Sequence, residues 1–223
     1  MSRADFPSGI RSLGNAPQFD TAFVTNSLVT DNAAIARTKL EQDDFVEYVV
    51  PFTALRVWDN FASLLPASAS SDDLGLTFTA GTGIFTDAPT VQGSDFGGTS
   101  ATQYAALLFG LPPEYVDGQS VRLRIRAAML TTVADDKCDL DIEAYEHDDD
   151  GSLDGSPTDL YTGAVQDMNS LTLANFDFDL TATSLTSGSQ LFVRIKVDGN
   201  DSGDAGVMIP EITKISFLLD IKG

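Results

Sequence analysis

The chain has 223 residues, of which 43% are hydrophobic, as expected for a globular protein. It has 33 acidic and 13 basic residues and a formal net charge of −20, and 26 of the acidic residues lie in 58–223 against 8 basic ones there. A body this acidic repels nucleic-acid phosphates and anionic membrane surfaces, so we expect neither as a partner. The charge favours solubility at high local concentration, although adaptation to a salty habitat is an alternative cause.

Cys138 is the single cysteine, so an intrachain disulfide and a cysteine-based zinc site are both excluded. The N-terminal sequence lacks the apolar core of a secretory signal, and no apolar run approaches the roughly 20 residues of a membrane helix. We therefore expect a soluble protein that is made in a cytoplasm.

Residues 1–30 are rich in Gly, Ser, Asn, Pro and Thr, which predicts an extended arm. Residues from about 31 to 47 have the strongest helical pattern in the chain, with Asp31 or Asn32 as its N-cap, and Pro51 interrupts that pattern. The prediction is an arm with a short helix over 1–50 and a body over 51–223.

The body contains seven or more short segments with period-two alternation, separated by turns rich in Gly, Asp, Asn and Ser. This spacing predicts an all-β, antiparallel β-sandwich rather than a βαβ fold. The alternation assigns these side chains to the inside: Val121, Leu123, Ile125, Cys138, Leu140, Ile142, Ala144, Phe176, Phe178, Leu180, Val193, Ile195, Val197, Ile215, Phe217, Leu219 and Ile221.

The same alternation directs three arginines of one segment and three carboxylates of the next to the outside. They are Arg122, Arg124 and Arg126, and Asp139, Asp141 and Glu143. In a later segment the alternation also directs Arg194 and Lys196 to the outside. If these two segments pair, opposite charges face one another across the ladder, each pair contributing about 0.2–1 kcal/mol.

Few residues suit catalysis. The one histidine, His147, lies in an acidic turn typical of a solvated loop, and Cys138 is assigned to the inside, where a thiol behaves as a small hydrophobe. A glycosidase would use paired carboxylates, but the acidic turns contain no tryptophan to hold a sugar, and Trp58 lies well outside them. We expect no enzymatic activity.

One acidic turn resembles a calcium loop in part. Glu146, Asp148, Asp150 and Asp154 match positions 1, 3, 5 and 9 of an EF-hand, but position 12 is proline instead of glutamate. These four residues are the candidates for an irregular Ca²⁺ site, and solvated hairpin tips are the alternative. The acidic turn over 198–204 has the same two interpretations. We expect no other cofactor.

Three segments together resemble a group of tailed-phage virion proteins with a jelly-roll body. They are TALRVWDNF…LPASASSDDLGL (53–76), TQYAALLFGLPPEYVDGQSVRLRIRAAM (102–129) and PEITKISFLLDIKG (210–223), and the resemblance covers roughly residues 35–223. It implies a jelly-roll-like sandwich and a structural function. The type it resembles most is a head decoration, or cement, protein that binds the major capsid protein on the capsid surface after synthesis in the host bacterial cytoplasm.

The resemblance also implies a homotrimer whose N-terminal arm reaches neighbouring subunits, and it carries over no catalytic or metal-binding residue. The apolar residues of the arm, spaced along polar sequence, are too few to fold alone and are expected to order against a partner. They are Phe6, Ile10, Leu13, Phe19 and Phe23.

Two other classes of function remain. A carbohydrate-binding β-sandwich, as part of a tail or fibre that recognises a host receptor, would use exposed aromatic and carboxylate side chains. A hydrolase would use paired carboxylates. Most aromatic residues fall at inward positions, which argues against the carbohydrate-binding alternative.

Overall fold

The computed structural model describes residues 10–13, 16–19, 45–78, 89–147, 158–203 and 206–221. The chain divides into two units, Met1–Asp43 and Asp44–Gly223. In the first unit, strands β1 (Ile10–Leu13) and β2 (Ala16–Phe19) form an antiparallel pair.

The regular structure described in the second unit consists of antiparallel strands and one 3₁₀ turn, at Phe52–Ala54 between the first two strands. The strands are β3 (Phe45–Val49), β4 (Gly75–Phe78), β5 (Pro89–Gln92), β6 (Ser100–Gly110), β7 (Val121–Met129), β8 (Lys137–His147), β9 (Gln166–Asp167), β10 (Ala174–Leu180), β11 (Gln190–Asn200) and β12 (Pro210–Asp220). Among the described residues, no helix is long and apolar enough to cross a membrane.

The strands form two sheets. The six-stranded sheet has the order β10-β7-β12-β5-β4, with β3 also paired to β12, and the four-stranded sheet has the order β6-β11-β8-β9. From β5 to β12 the chain passes repeatedly between the two sheets. Of these strands, the six-stranded sheet contains β5, β12, β7 and β10 as adjacent neighbours, and the four-stranded sheet contains β6, β11, β8 and β9. That pattern is the jelly roll, so the predicted jelly-roll-like β-sandwich is confirmed.

The core lies between the two sheets and consists of the side chains that the alternation assigned to the inside. Leu123, Ile125 and Phe217 from the six-stranded sheet and Leu140 and Ile195 from the other are all almost completely buried. Phe176 and Ile221 are only partly buried and pack at the edge of this core. The period of two is therefore enough to identify which face of each strand is apolar.

The predicted charge ladder between β7 and β8 is wrong, because these two strands belong to different sheets. Two arginines of β7, Arg122 and Arg124, instead face carboxylates of β10, and Arg124 Nε lies 2.6 Å from Asp177 Oδ1. Two carboxylates of β8, Asp141 and Glu143, face basic residues of β11, and Glu143 accepts a bond from Arg194. After β7 the chain crosses to the opposite sheet, so β7 and β8 are neighbours in sequence but not in a ladder.

The C-terminal end of the predicted helix is also different in the structure. Residues 45–47 belong to β3, which pairs with the last five residues of β12. Tyr48 of β3 packs edge-on against Phe109 at 6.3 Å between ring centroids. Pairing to an otherwise open strand and this packing outweigh local helical propensity, so the second unit begins before residue 51. The rest of the predicted helix, over 31–44, lies outside the described residues.

Candidate functional site

The residues of the predicted calcium loop are not brought together by the part of the chain that the structure describes. Glu146 lies near the end of β8, where its carboxylate accepts hydrogen bonds from Ser189 Oγ at 2.7 Å and Ser184 Oγ at 3.1 Å. Asp148, Asp150 and Asp154 lie outside the described residues. Within the described ranges, no group of three or more His, Cys, Asp or Glu side chains is arranged to hold a metal.

The second acidic turn is held by hydrogen bonds within the protein. Asp201 is fully buried and its Oδ1 accepts the backbone N–H of Asp135 at 2.9 Å. Asp198 accepts bonds from Lys137 Nζ at 2.6 Å and Thr102 Oγ1 at 2.9 Å. Burial alone would raise the pKa of Asp198, but these two hydrogen bonds and the lysine charges outweigh it and lower that pKa.

The predicted partner-binding residues fall partly in the described segments. Ile10 and Leu13 are the first and last residues of β1, and Phe19 ends β2, where it is the register partner of Ile10. Phe6 and Phe23 lie outside the described residues. Their use in binding a partner stays a prediction.

The outer side of the four-stranded sheet carries side chains in five rows, each row running across β6, β11 and β8. We call this surface the aromatic face. In order, its rows are Leu108, Phe192 and Tyr145; Ala106, Arg194 and Glu143; Tyr104, Lys196 and Asp141; Thr102, Asp198 and Asp139; and Ser100, Asn200 and Lys137.

Trp58 joins the aromatic face from outside the sheet. Its ring centroid lies 5.0 Å from that of Tyr104, and its indole Nε1 donates a hydrogen bond to Asp72 Oδ2 at 3.0 Å. The Arg194 guanidinium lies over both rings, 4.9 Å from the centroid of Trp58 and 5.1 Å from that of Tyr104. Glu143 binds Arg194 in turn. These contacts hold the two rings in fixed positions on a solvated surface.

The backbone around Tyr104 is equally well held. Residues 72–74 run beside β6, so that Tyr104 N–H donates to Asp72 O at 2.8 Å and Leu74 N–H donates to Tyr104 O at 2.9 Å. On the other side of the aromatic pair, Phe61 contacts Phe192 with ring centroids 5.5 Å apart. Phe61 is 38% exposed and Leu108 is 43% exposed, so apolar surface continues beyond the rings.

The third row differs from the neighbouring rows because its charged side chains, Lys196 and Asp141, form no ion pair with the described residues. In the second row Arg194 and Glu143 bind each other, and in the fourth and fifth rows Asp198 binds Lys137. Lys196 forms no ion pair or hydrogen bond with the described residues, although it lies opposite Asp141 in register. Asp141 accepts only the N–H of Ile142, through Oδ1. The row beside the aromatic pair therefore offers one donor group and one acceptor group to a ligand.

The outer side of the six-stranded sheet has a different character. Three ion pairs join its neighbouring strands: Arg124 with Asp177, Arg122 with Asp179 at 2.5 Å, and Lys214 with Glu47 at 2.7 Å. Hydrogen bonds from Lys214 and Ser216 lower the pKa of Glu47. This network stabilises the sheet itself, and its main groups are already engaged.

The predicted inert thiol is found at the core. Cys138 is fully buried, and burial, followed by the nearby Asp139, raises its pKa to about 12. A thiol in this state is not a nucleophile at neutral pH.

Sequence reasoning missed the aromatic face as a candidate site. Alternation did assign Arg194 and Lys196 to the outside, and it would have placed Phe192 there too. The outward direction of Tyr104 is not apparent from the sequence, because β6 is a nearly continuous apolar run. Trp58 belongs to no strand, so alternation assigns it no direction. Extending the period-two count through β6 is the signal that identifies Tyr104.

No protein-family model matches the chain, and no curated protein matches its sequence. Solved structures with a similar fold include the CBM22-1 xylan-binding domain of Paenibacillus barcinonensis Xyn10C, with 10% identity, a TM-score of 0.39 and coverage of 68% of this chain and 83% of that one. Another is the xylan-binding module CBM15, with 14% identity, a TM-score of 0.39 and coverage of 80% and 99%.

A third similar structure is the K1 cleaved adhesin domain of Lys-gingipain from Porphyromonas gingivalis W83. It has 11% identity, a TM-score of 0.39 and coverage of 80% of this chain and 99% of that one. These likenesses are too distant to carry a ligand or an activity over to this chain.

Proposed function

We propose that this protein binds carbohydrate on the aromatic face. The observation that carries the proposal is the Trp58–Tyr104 pair, held on a solvated surface beside Lys196 and Asp141, which form no ion pair with any described residue. Sugar rings have faces of C–H groups and a rim of hydroxyls. They therefore bind where aromatic rings lie next to a few well-placed donors and acceptors.

The charge of the molecule argues against the other ligands that stack on aromatic rings. Nucleic-acid bases also stack on such platforms, but they need a basic groove to follow the phosphates, and this chain has a net charge of −20. An organic cation would compete with Arg194, which already occupies the cation site over both rings. A neutral, hydroxylated ligand needs neither a basic groove nor the cation position that Arg194 occupies.

The test is binding to soluble polysaccharides and to a glycan array. We expect the intact protein to bind at least one neutral polysaccharide in affinity electrophoresis and calorimetry, and Trp58→Ala to remove that binding. Arg126→Ala is the matched control, because Arg126 is exposed on the outer side of the other sheet and should leave binding unchanged. No binding to any glycan, or equal binding by Trp58→Ala, would contradict the proposal.

Binding rather than catalysis is part of the same proposal. Two observations support it: the Cys138 thiol is buried with a pKa raised to about 12, and the carboxylates of the aromatic face are mostly engaged by basic partners. The check is incubation with the polysaccharide that binds, followed by measurement of reducing ends, which should not increase.

The resemblance to virion proteins supports a second proposal about where this binding is used. The first unit of the chain, Met1–Asp43, is separate from the sandwich and contains its own strand pair, which fits an arm that contacts a partner. Carbohydrate binding would place the chain in a tail or fibre that recognises a host receptor. A decoration protein would instead bind the major capsid protein as a trimer. Copy number per particle distinguishes them, with hundreds of copies on a head and a few dozen or fewer in a tail.

A further inference from the structure

We infer that the ligand is an internal stretch of a neutral polysaccharide chain, lying across the strands along the third row of the aromatic face. This inference rests on the proposed function and identifies its ligand class. It begins with Trp58 and Tyr104 at one end of the row and continues over Lys196 and Asp141.

The direction follows from where polar groups remain free. The second and fourth rows lie on either side of the third, and their charged residues form ion pairs. Arg194 binds Glu143 within the second row, and Asp198 of the fourth row binds Lys137 of the fifth. A ligand lying along β11 would have to break those pairs in turn. A ligand lying along the third row meets the two free groups first and leaves the pairs intact.

The length of the ligand follows from strand spacing. Neighbouring strands lie about 4.8 Å apart, so the row from β6 to β8 spans about 10 Å, and Trp58 extends it beyond β6. That is longer than a single sugar ring. One sugar covers the aromatic pair, and further sugars are needed to reach Lys196 and Asp141.

The charge of the ligand follows from the side chains around the row. Lys196 and Asp141 cancel each other, and the neighbouring Asp139 and Asp198 share the single Lys137. The surroundings are therefore slightly negative, in a molecule with a net charge of −20. A chain of uronic acids or sialic acids would be repelled, whereas a neutral chain would not.

The test measures dissociation constants for cello-, xylo- and manno-oligosaccharides of one to six sugars, and for oligogalacturonates of matched length. We expect affinity to rise with length, by about tenfold or more from monosaccharide to trisaccharide, in at least one neutral series, and to level off once the oligosaccharide is longer than the row. Lys196→Ala and Asp141→Ala should remove most of that rise, while Trp58→Ala removes binding at every length. Arg126→Ala again serves as control.

Different results overturn different statements. Neutral binding that does not depend on length, or a rise that survives both Lys196→Ala and Asp141→Ala, overturns this inference and leaves carbohydrate binding in place. Tighter binding of oligogalacturonates than of every neutral series also overturns it. No binding by the intact protein to any of these oligosaccharides or their parent polysaccharides overturns the proposed function as well, and a Trp58→Ala change in oligomeric state would then identify the face as a contact between copies.

Discussion

The carboxylate oxygen Oδ1 of Asp73 is buried and receives no hydrogen bond. Among the described residues it is the one buried side-chain oxygen of this kind. Burial, and then the charges of Asp72 and Asp59, raise the pKa of this carboxyl above its usual 3.8. Asp73 also lies beside Tyr104 in a short parallel bridge. The segment that positions one ring of the aromatic face therefore carries an unfavourable charge.

We expect Asp73→Asn to stabilise the protein at pH 7, by up to about 1 kcal/mol, because the amide removes the buried charge. An acid whose pKa is raised by folding contributes stability below its unfolded pKa and loses it as pH rises through the folded value. The gain should therefore vanish at about pH 3, where both states are protonated. Thermal unfolding at the two pH values measures this.

The control for that substitution is Glu114→Gln, which removes a charge from an exposed position. It should change the melting temperature little at either pH. A lower melting temperature for Asp73→Asn at pH 7 would contradict the expectation.

At the scale of elements, β7 and β10 are held together by charge as well as by backbone bonds. Arg124 donates from Nε and Nη2 to the two oxygens of Asp177, at 2.6 and 2.7 Å. The hydrogen bonds from Arg124 lower the pKa of Asp177 despite its burial. This two-point contact fixes the register of the pair more firmly than a single bond would.

A double-mutant cycle of Arg124→Ala and Asp177→Ala should give a coupling energy of about 0.2–1 kcal/mol at pH 7. A carboxyl whose pKa is depressed by folding contributes stability above its unfolded pKa, near 3.8 here, and loses it as pH falls through the folded value. The coupling should therefore decrease below about pH 4. Denaturant unfolding of the four proteins measures it.

The matched control combines Arg124 with Asp141, one of the β8 carboxylates that the sequence alone placed opposite the arginines. These residues lie on different sheets, and their cycle should give no coupling. Coupling of equal size in the two cycles would show that the interaction is not the contact between β7 and β10.

The contrast between those two pairs shows what the sequence can and cannot predict. The faces of β7, β8 and β11 follow from alternation, because side-chain direction is a local property of an extended backbone. Strand partners depend on the path between sheets, which no local pattern records. The aromatic face combines both cases: Arg194 and Lys196 were assigned to the outside correctly, whereas the approach of Arg194 to Trp58 depends on a loop that packs beside β6.

At the scale of the whole molecule, the second unit contains all of the sandwich core. β3 is its first strand, and it covers one end of β12 with five register pairs. Glu47 of β3 binds Lys214 at 2.7 Å and Ser216 Oγ at 2.7 Å. The strand is therefore part of the body, although the sequence pattern attaches it to the arm.

Chains that begin at residue 44 and at residue 51 should differ in stability. The first retains β3 and should melt at the temperature of the intact sandwich. The second loses the contacts of Tyr48 and Glu47, and its melting temperature should fall by roughly 2–4 °C for each kcal/mol lost. Circular dichroism and calorimetry compare them, and equal melting temperatures would mean that β3 does not stabilise the sandwich.

The position of β12 also determines when the protein can fold. It is the last of the described strands, and it lies inside the six-stranded sheet, with β7 on one side and β3 and β5 on the other. During synthesis, the earlier strands of that sheet emerge from the ribosome without the strand that joins them. Their apolar sides stay open until β12 has been synthesised, and such long-range pairing is slow. In a chain that stops before residue 210, β7 and β5 would each keep an unpaired edge, and such edges are targets for aggregation and proteolysis.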